Sequence, residues 1–423
     1  MPLIYILSAV ARELLSAFII NYRFIPIYVI VVLLIKMQHE KQMGIVTNWL
    51  GVPSRGIWNT IKEMMFYGSI IGFFGGVIVV STGITLAPEV FEYLLIIMAV
   101  LILFNIRFIC ISYSAALLAL IAVAFKISNI DVASLLALVA VMHFFESILV
   151  FAGAGRDCEP VYIKHGQSIA GAFITRRIWP VPVIFLTFLA QRFGDVTLNS
   201  INTIKVDWWT LFNSSAVHAG ALAIGLDCAV SALCYTDIAI ARKPENKSRE
   251  TAIWLLIYSI LLFILAVISR NISLFKVMGA LFALGGHEFI FLYGRYREMN
   301  NSPLFIPVRR GVRVLDVLPD SHAWRIGIRR GDIILSINSR DVQTEEGITE
   351  ALRTFPTFIW VKLLDVDGIE RTYEYKCYPD GINHLEILTV PRENEVTYNM
   401  SYFENYNVLK NLVKRFRGNS KSI

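Results

Sequence analysis

Residues 311–342 read GVRVLDVLPDSHAWRIGIRRGDIILSINSRDV. Val312, Val314 and Val317 frame a β-strand. Ser321 is placed to cap a single helical turn that ends at Gly327, where the chain needs a left-handed residue. Gly331 and Asp332 then turn the chain into a second strand, IILSIN. Further on, Thr344 with Glu345 and Glu346 starts a helix that runs to about Arg353, with its acids at the positive end of the helix dipole. DVDGIERTYEYK, residues 365–376, reads as a hairpin around Asp367 and Gly368. Residues 303–378 therefore predict a small β/α domain.

This run of strand, capped turn, Gly-Asp and strand resembles a bacterial PDZ domain. The residues that carry the resemblance are Ser321, Ala323, Gly327, Gly331 and Asp332. Two positions depart from the pattern: His322 stands where proline is usual, and Ser339 where glycine usually follows Ile-Asn. The resemblance implies peptide capture by β-augmentation. The groove would lie between a strand near Arg310–Val317 and the 345–353 helix, with Gly311, Val312, Val314, Ile348 and Leu352 as candidates. The stretch before Gly311, NSPLFIPVRR, holds no carboxylate-binding loop motif, which leaves recognition of a peptide C-terminus open. The alternative is a domain that packs on the rest of the chain or dimerises.

Upstream the composition changes. Only 17% of the 423 residues are charged, against about 25% in a soluble globular chain. Mean hydropathy is +0.58. The apolar excess fills residues 24–294 in runs suited to a bilayer core about 30 Å thick. Hydropathy predicts helical spans near 24–37, 66–86, 90–104, 107–125, 131–153, 178–191, 208–239, 251–269 and 272–293. Residues 1–23 are apolar but carry Arg12 and Glu13, and either lie in the interface or span with a polar face. The expected fold class is thus a polytopic α-helical membrane domain of eight or nine spans followed by a small PDZ-like β/α domain. MPLIYILSAV lacks the basic start and small-residue cleavage site of a signal peptide.

Charge sets an orientation. Segments 38–65, 154–177 and 240–250 carry most loop cations, including Arg156, Lys164, Arg176, Arg177, Arg242 and Lys243. The alternate connections carry few. The positive-inside rule places the cation-rich set, and with it the PDZ-like domain and C-terminus, in the cytoplasm of a multi-pass cell-membrane protein. No internal repeat of the transporter kind is evident. The tail 379–423 ends in a basic amphipathic pattern, with Tyr402, Tyr406, Leu409, Val413 and Phe416 at helical spacing among Lys410, Lys414, Arg415 and Arg417. It lies on anionic lipid or packs on the PDZ-like domain.

Intramembrane ionisable residues are costly and point to function by default. VMHFFESILV places His143 and Glu146 on one helix face, and HAGALAIGLDCAV carries His218 and Asp227. GGHEFIF, at 285–291, carries His287 and Glu288 and begins like the H-E-x-x-H zinc-protease motif. Phe291 stands at i+4 from His287, so a second ligand is missing there; Ser147 likewise spoils an inverted motif. The five cysteines, Cys110, Cys158, Cys228, Cys234 and Cys377, form no CxxC and read as small apolar filler. The expectation is no catalytic residue, no metal and no cofactor. The polar pairs either join helices or form a lipid, ion or partner site.

The whole arrangement resembles the MinJ-type cell-division topological determinants of Gram-positive bacteria. The stretches that carry this are ELLSAFIINYRFIPIYVIVVLLIKM (13–37), HFFESILVFAGAG (143–155), GAFITRRIWPVPV (171–183) and GGHEFIFLYGRYREMNNSPLF (285–305). The resemblance implies a non-catalytic scaffold, enriched at septum and poles, that links a DivIVA-like protein to a MinD-like one in septum site selection. Membrane lipids are expected partners, nucleic acid is not, and homo-oligomerisation is left open. A second reading from another class is a membrane-bound PDZ accessory that presents substrates to a separate envelope protease.

Overall fold

The computed structural model describes residues 2–19, 28–33, 35–37, 57–87, 89–156, 158–165, 168–189, 204, 208, 210–212 and 223–392. His218 and the amphipathic pattern at 402–417 lie outside the described residues. The N-terminal part forms helices α1 (Pro2–Ile19), α2 (Ile57–Thr82), α3 (Glu89–Phe104), α4 (Ile111–Ala124) and α5 (Val132–Ala152). Helices α6 (Pro244–Ser269) and α7 (Ser273–Asn300) follow a stretch of strands. Among the described residues, four helices are long and apolar enough to cross a membrane: α2, α5, α6 and α7. Helix α4 has only 14 residues, about 21 Å at 1.5 Å per residue.

Helix α5 is the central one. Asp131 caps its start, accepting the Ala133 N–H at 3.1 Å and the Ser134 hydroxyl at 2.6 Å. Gly153 closes its end. Almost every side chain between is buried, among them Leu135, Leu136, Leu138 and Phe145 in the main apolar core.

Among the described residues the structure does not hold eight or nine helical spans. The segments read as spans at 178–191 and 208–239 are largely β-structure where described: β2 (Ser168–Leu189) and β3 (Ala223–Ala239). With β1 (Cys158–His165) they make an antiparallel sheet in the order β1-β2-β3. The physical reason lies in Pro180 and Pro182. Each would break a helix interior, whereas two prolines two apart put their missing N–H groups on the same edge of a strand. Hydropathy reports burial, and β2 is buried from Ile169 to Thr175 and from Trp179 to Thr187. Extended backbone at such apolar depth is tolerated where protein covers it.

Helix α2 supplies that cover through a stripe of glycines. Gly68 lies against Pro180, Gly72 against Pro182 and Gly76 against Ile184. Four helical residues rise about 6 Å and two strand residues about 6.6 Å, so the two repeats stay in step. A Cβ on Gly68 would sit 2.0 Å from the Pro180 carbonyl oxygen, a backbone atom. Gly68→Ala is expected to cost about 1–3 kcal/mol or more from overpacking. Gly285, with nothing within 4 Å of its added Cβ, is the control: Gly285→Ala should gain about 0.5–1 kcal/mol of helix propensity. Thermal unfolding in detergent checks both. Equal midpoints for the two variants would mean that α2 does not press on β2.

The C-terminal part has its own core. Strands β4 (Val312–Val317), β5 (Ile333–Ile337), β6 (Arg340–Asp341), β7 (Phe358–Leu364), β8 (Glu370–Lys376) and β9 (Ile387–Thr389) surround helices α8 (His322–Ile326) and α9 (Glu345–Leu352). The sheet runs β8-β7-β5-β4-β9, with β6 on β5. It therefore continues past residue 378: Ile382 and Leu385 belong to its core, and half-buried Ile387 packs against it.

This domain sits on the β1–β2 hairpin. Tyr162, Ile169 and Phe173 of the hairpin pack with Phe305, Leu315, Leu388 and Val390 in one buried apolar cluster. Gly171 N–H donates to Phe305 O at 2.7 Å, and Leu304 N–H to Ile240 O at 2.9 Å. Arg330 stacks over Phe173 at 4.3 Å while bonding Asp316 at 2.9 Å and Glu245 at 3.4 Å. Burial nonetheless raises the Asp316 carboxyl above its ordinary range, outweighing the pull of Arg330. Nearby, the end of α7 is tied back by Glu298. Its carboxylate takes the N–H groups of Ile240 and Ala241, each at 2.8 Å, and pairs with Arg242 at 2.6 Å.

Candidate functional site

Two places gather chemistry: the edge of the C-terminal sheet, and a polar cluster among the helices.

At the sheet edge, the local signals act as their residue types dictate. Ser321 Oγ accepts the Trp324 N–H at 3.1 Å, and Gly327 sits at φ +106°. Ala323 is fully buried. Gly331 takes φ +96°, and Asp332 Oδ2 holds the Arg329 N–H at 2.8 Å. Asn338 and Ser339 both have positive φ, 48° and 64°, in the two-residue turn between β5 and β6. Ser339 thus adopts the left-handed geometry that glycine would take more cheaply.

The helix expected as one wall of the groove lines an open cavity, but the strand expected as its other wall is not an edge strand. Gly311, Val312 and Val314 are buried, and β4 lies one strand in from the edge, covered by β9. Ile348 points into the domain core, whereas Leu352, buried in that core, also lines the open cavity beside α9. The edge strand comes from the other end of the domain. Val314 exchanges its N–H and C=O with Asp332 and Gly331, on the β5 side. Its partner Thr389 therefore turns its own backbone groups to the outer edge, the side on which an added strand would pair. The loop 380–386 leads into β9 as a carboxylate loop leads into a groove strand, with Gly381 at φ +74° and Glu386 at +50°. Beside it, an open cavity of about 660 Å³ is lined by Glu346, Thr349, Glu350, Arg353, Phe355 and His384. The sequence signal was GINHLEILTV, residues 381–390, an apolar alternation after a glycine, on the C-terminal side of residue 378.

Two contacts already occupy this edge. Thr389 Oγ1 donates to Glu345 Oε2 at 2.6 Å, tying β9 to α9. The Tyr162 hydroxyl, from β1, donates to the Thr389 carbonyl at 2.6 Å. Burial raises the Tyr162 phenol, which stays a neutral donor.

Among the helices, the structure brings together His143, Glu146, His287 and Glu288, and separates Asp227 from them. Asp227 lies on β3 opposite Phe185 and accepts the Cys228 N–H at 2.8 Å. His143 on α5 is fully buried; its Nε2 lies 3.2 Å from Cys110 Sγ and 3.7 Å from Glu146 Oε2. Its ring packs edge-on against that of His287 from α7, centroids 5.3 Å apart. Tyr113 bridges His287 and Glu288: its hydroxyl donates to Glu288 Oε2 at 2.7 Å and lies 3.1 Å from His287 Nδ1. An ion pair adjoins them, buried Lys247 with half-buried Asp237 at 2.7 Å, braced by the Thr251 hydroxyl. Cys110, read as filler, belongs to this cluster; only tertiary packing shows it.

Residues 313–360 match the PDZ domain family. The chain is also 48% identical over 53 residues to the mitochondrial serine protease HTRA2 of Bos taurus, a match that covers 12% of each chain. The shared stretch falls far short of that protein's length.

Proposed function

We propose that this protein is a non-catalytic membrane scaffold. Helices α2, α5, α6 and α7, with the shorter apolar segments, cross the cell membrane in a multi-pass arrangement. The PDZ domain lies on the cytoplasmic, cation-rich side and recruits other proteins. One observation carries the reading: the PDZ domain is seated on the β1–β2 hairpin through a buried apolar cluster, and that hairpin packs against α2, so a captured segment is held at a defined place beside the helices. The exposed apolar faces of these helices, such as Phe66, Phe74, Ile257, Leu281 and Phe289, suit contact with lipid.

The wall formed by Glu346 and Glu350, with Glu345 at the groove edge, favours a ligand segment with basic residues. The MinJ-like arrangement makes the partners DivIVA-like and MinD-like proteins and the process division-site selection. The identity to a protease within the PDZ stretch favours a second reading, presentation of substrates to a separate envelope protease.

Live imaging of a functional fluorescent fusion, with a deletion strain, separates them. The first reading expects signal at septa and poles and misplaced septa on deletion. It also expects Thr349→Lys, which puts a cation on the groove wall, to lose co-purified partners while its melting point stays unchanged. Uniform signal with normal septa and stabilised envelope proteins would favour the second.

A further inference from the structure

We propose that Cys110, His143 and His287 form a metal site, completed by Glu146, that binds zinc inside the helical bundle. The proposal is independent of partner recruitment by the PDZ domain. One ligand atom from each of the three residues lies within 4.8 Å of the others. Cys110 Sγ and His143 Nε2 are 3.2 Å apart. Zinc–nitrogen bonds near 2.0 Å and zinc–sulfur bonds near 2.3 Å put tetrahedral ligands about 3.5 Å apart. The donors thus need small side-chain rotations, not a new backbone. Glu146 Oε2 lies 3.7 Å from the same Nε2 but outside the mutual 4.8 Å set of the other three donors, so it completes the site only by swinging its side chain toward Cys110 and His287.

Hydrogen bonding fixes both imidazoles in the ligating form. His143 Nδ1 lies 2.8 Å from the Val139 carbonyl, which can only accept. The proton is therefore on Nδ1, and Nε2 offers its lone pair toward Cys110. For His287 the chain is longer. Tyr113 gives its hydroxyl hydrogen to Glu288, so toward His287 Nδ1 it acts as acceptor. Nδ1 then carries the proton and Nε2 the lone pair. The carbonyl behind His143 is a usual outer support of a metal-bound histidine, and behind His287 a tyrosine hydroxyl backed by the Glu288 carboxylate takes that place.

Charge also closes. A dication with a thiolate, a carboxylate and two neutral imidazoles is neutral, the state an apolar interior tolerates best. Binding releases the thiol proton, and the carboxyl proton where present. Sulfur, nitrogen and oxygen donors together suit zinc over magnesium or calcium. Four protein donors leave no open position, which makes the site structural. It joins the start of α4 to α5 and α7. A cavity of about 70 Å³ lined by Glu146, His287, Asp237 and Lys247 gives access.

The test uses the full chain in detergent. Metal content is measured by plasma mass spectrometry, and cobalt(II) is titrated into chelator-stripped protein. About one zinc per chain is expected, with cobalt giving a thiolate charge-transfer band and tetrahedral d–d bands. Cys110→Ser should lose the charge-transfer band. His143→Gln should lose stoichiometric metal, and Tyr113→Phe should weaken binding about 10–100-fold. If His143→Gln does not fold, Cys110→Ser and Tyr113→Phe carry the test. Folded wild-type protein that takes up neither ion would overturn the site, as would cobalt spectra unchanged in Cys110→Ser. Stoichiometric copper in place of zinc would overturn the zinc assignment.

Discussion

Glu298→Ala is expected to lower stability by about 3–5 kcal/mol, the cost of breaking a buried charged pair from one side. Glu298 is fully buried near the C-terminal end of α7. Its carboxylate holds two backbone N–H groups, of Ile240 and Ala241, together with the Arg242 guanidinium. Removing it orphans both N–H groups and takes one of two carboxylate partners from Arg242. Arg242 also pairs with Glu250, and Glu250 with Arg297, so the loss spreads through a network. Glu298→Gln keeps the shape and one acceptor and should cost about 1–3 kcal/mol. Thermal unfolding in detergent reads both. A loss below about 1 kcal/mol for the alanine variant would show that the clamp behaves as a solvated surface pair.

Phe305→Ala should act on the seat of the PDZ domain. Phe305 is 2% exposed and meets Phe173 edge-on, centroids 5.3 Å apart. Truncating a buried phenylalanine costs about 3–5 kcal/mol. Here the cost falls on the contact between domain and hairpin, since Phe305 is outside the domain's own core. The expected result is faster hydrogen exchange at residues 158–173 and 304–318 with the exchange of β5 and β7 unchanged. Uniform loss of protection across β5 and β7 would mean that Phe305 stabilises the domain fold itself.

How much of this was legible depended on range. Ser321, Gly327, Gly331 and the Thr344 cap were readable because each acts within a few residues of itself. The edge strand was not, because β4 and β9 pair across the whole domain and the chain order places that strand last. The helical reading of 178–191 failed because hydropathy measures burial and not conformation; Pro180 and Pro182 were the contrary signal. The His143–His287 cluster was the least legible. Spacing along one helix correctly found no second histidine at Phe291, yet another helix brings one to it.

The Tyr162–Thr389 bond has a thermodynamic consequence. A strand added to β9 needs the carbonyl that Tyr162 now holds, so seating of the PDZ domain and strand addition compete for one acceptor. The observed affinity is then the intrinsic affinity scaled by the fraction of molecules with that edge released. A hundredfold preference for the closed form weakens binding about a hundredfold. Anything that shifts the hairpin, whether a change in bilayer thickness or a contact from a neighbouring molecule, changes that fraction. On the proposed scaffold reading, release of the Tyr162–Thr389 contact sets the threshold at which β9 accepts an added strand.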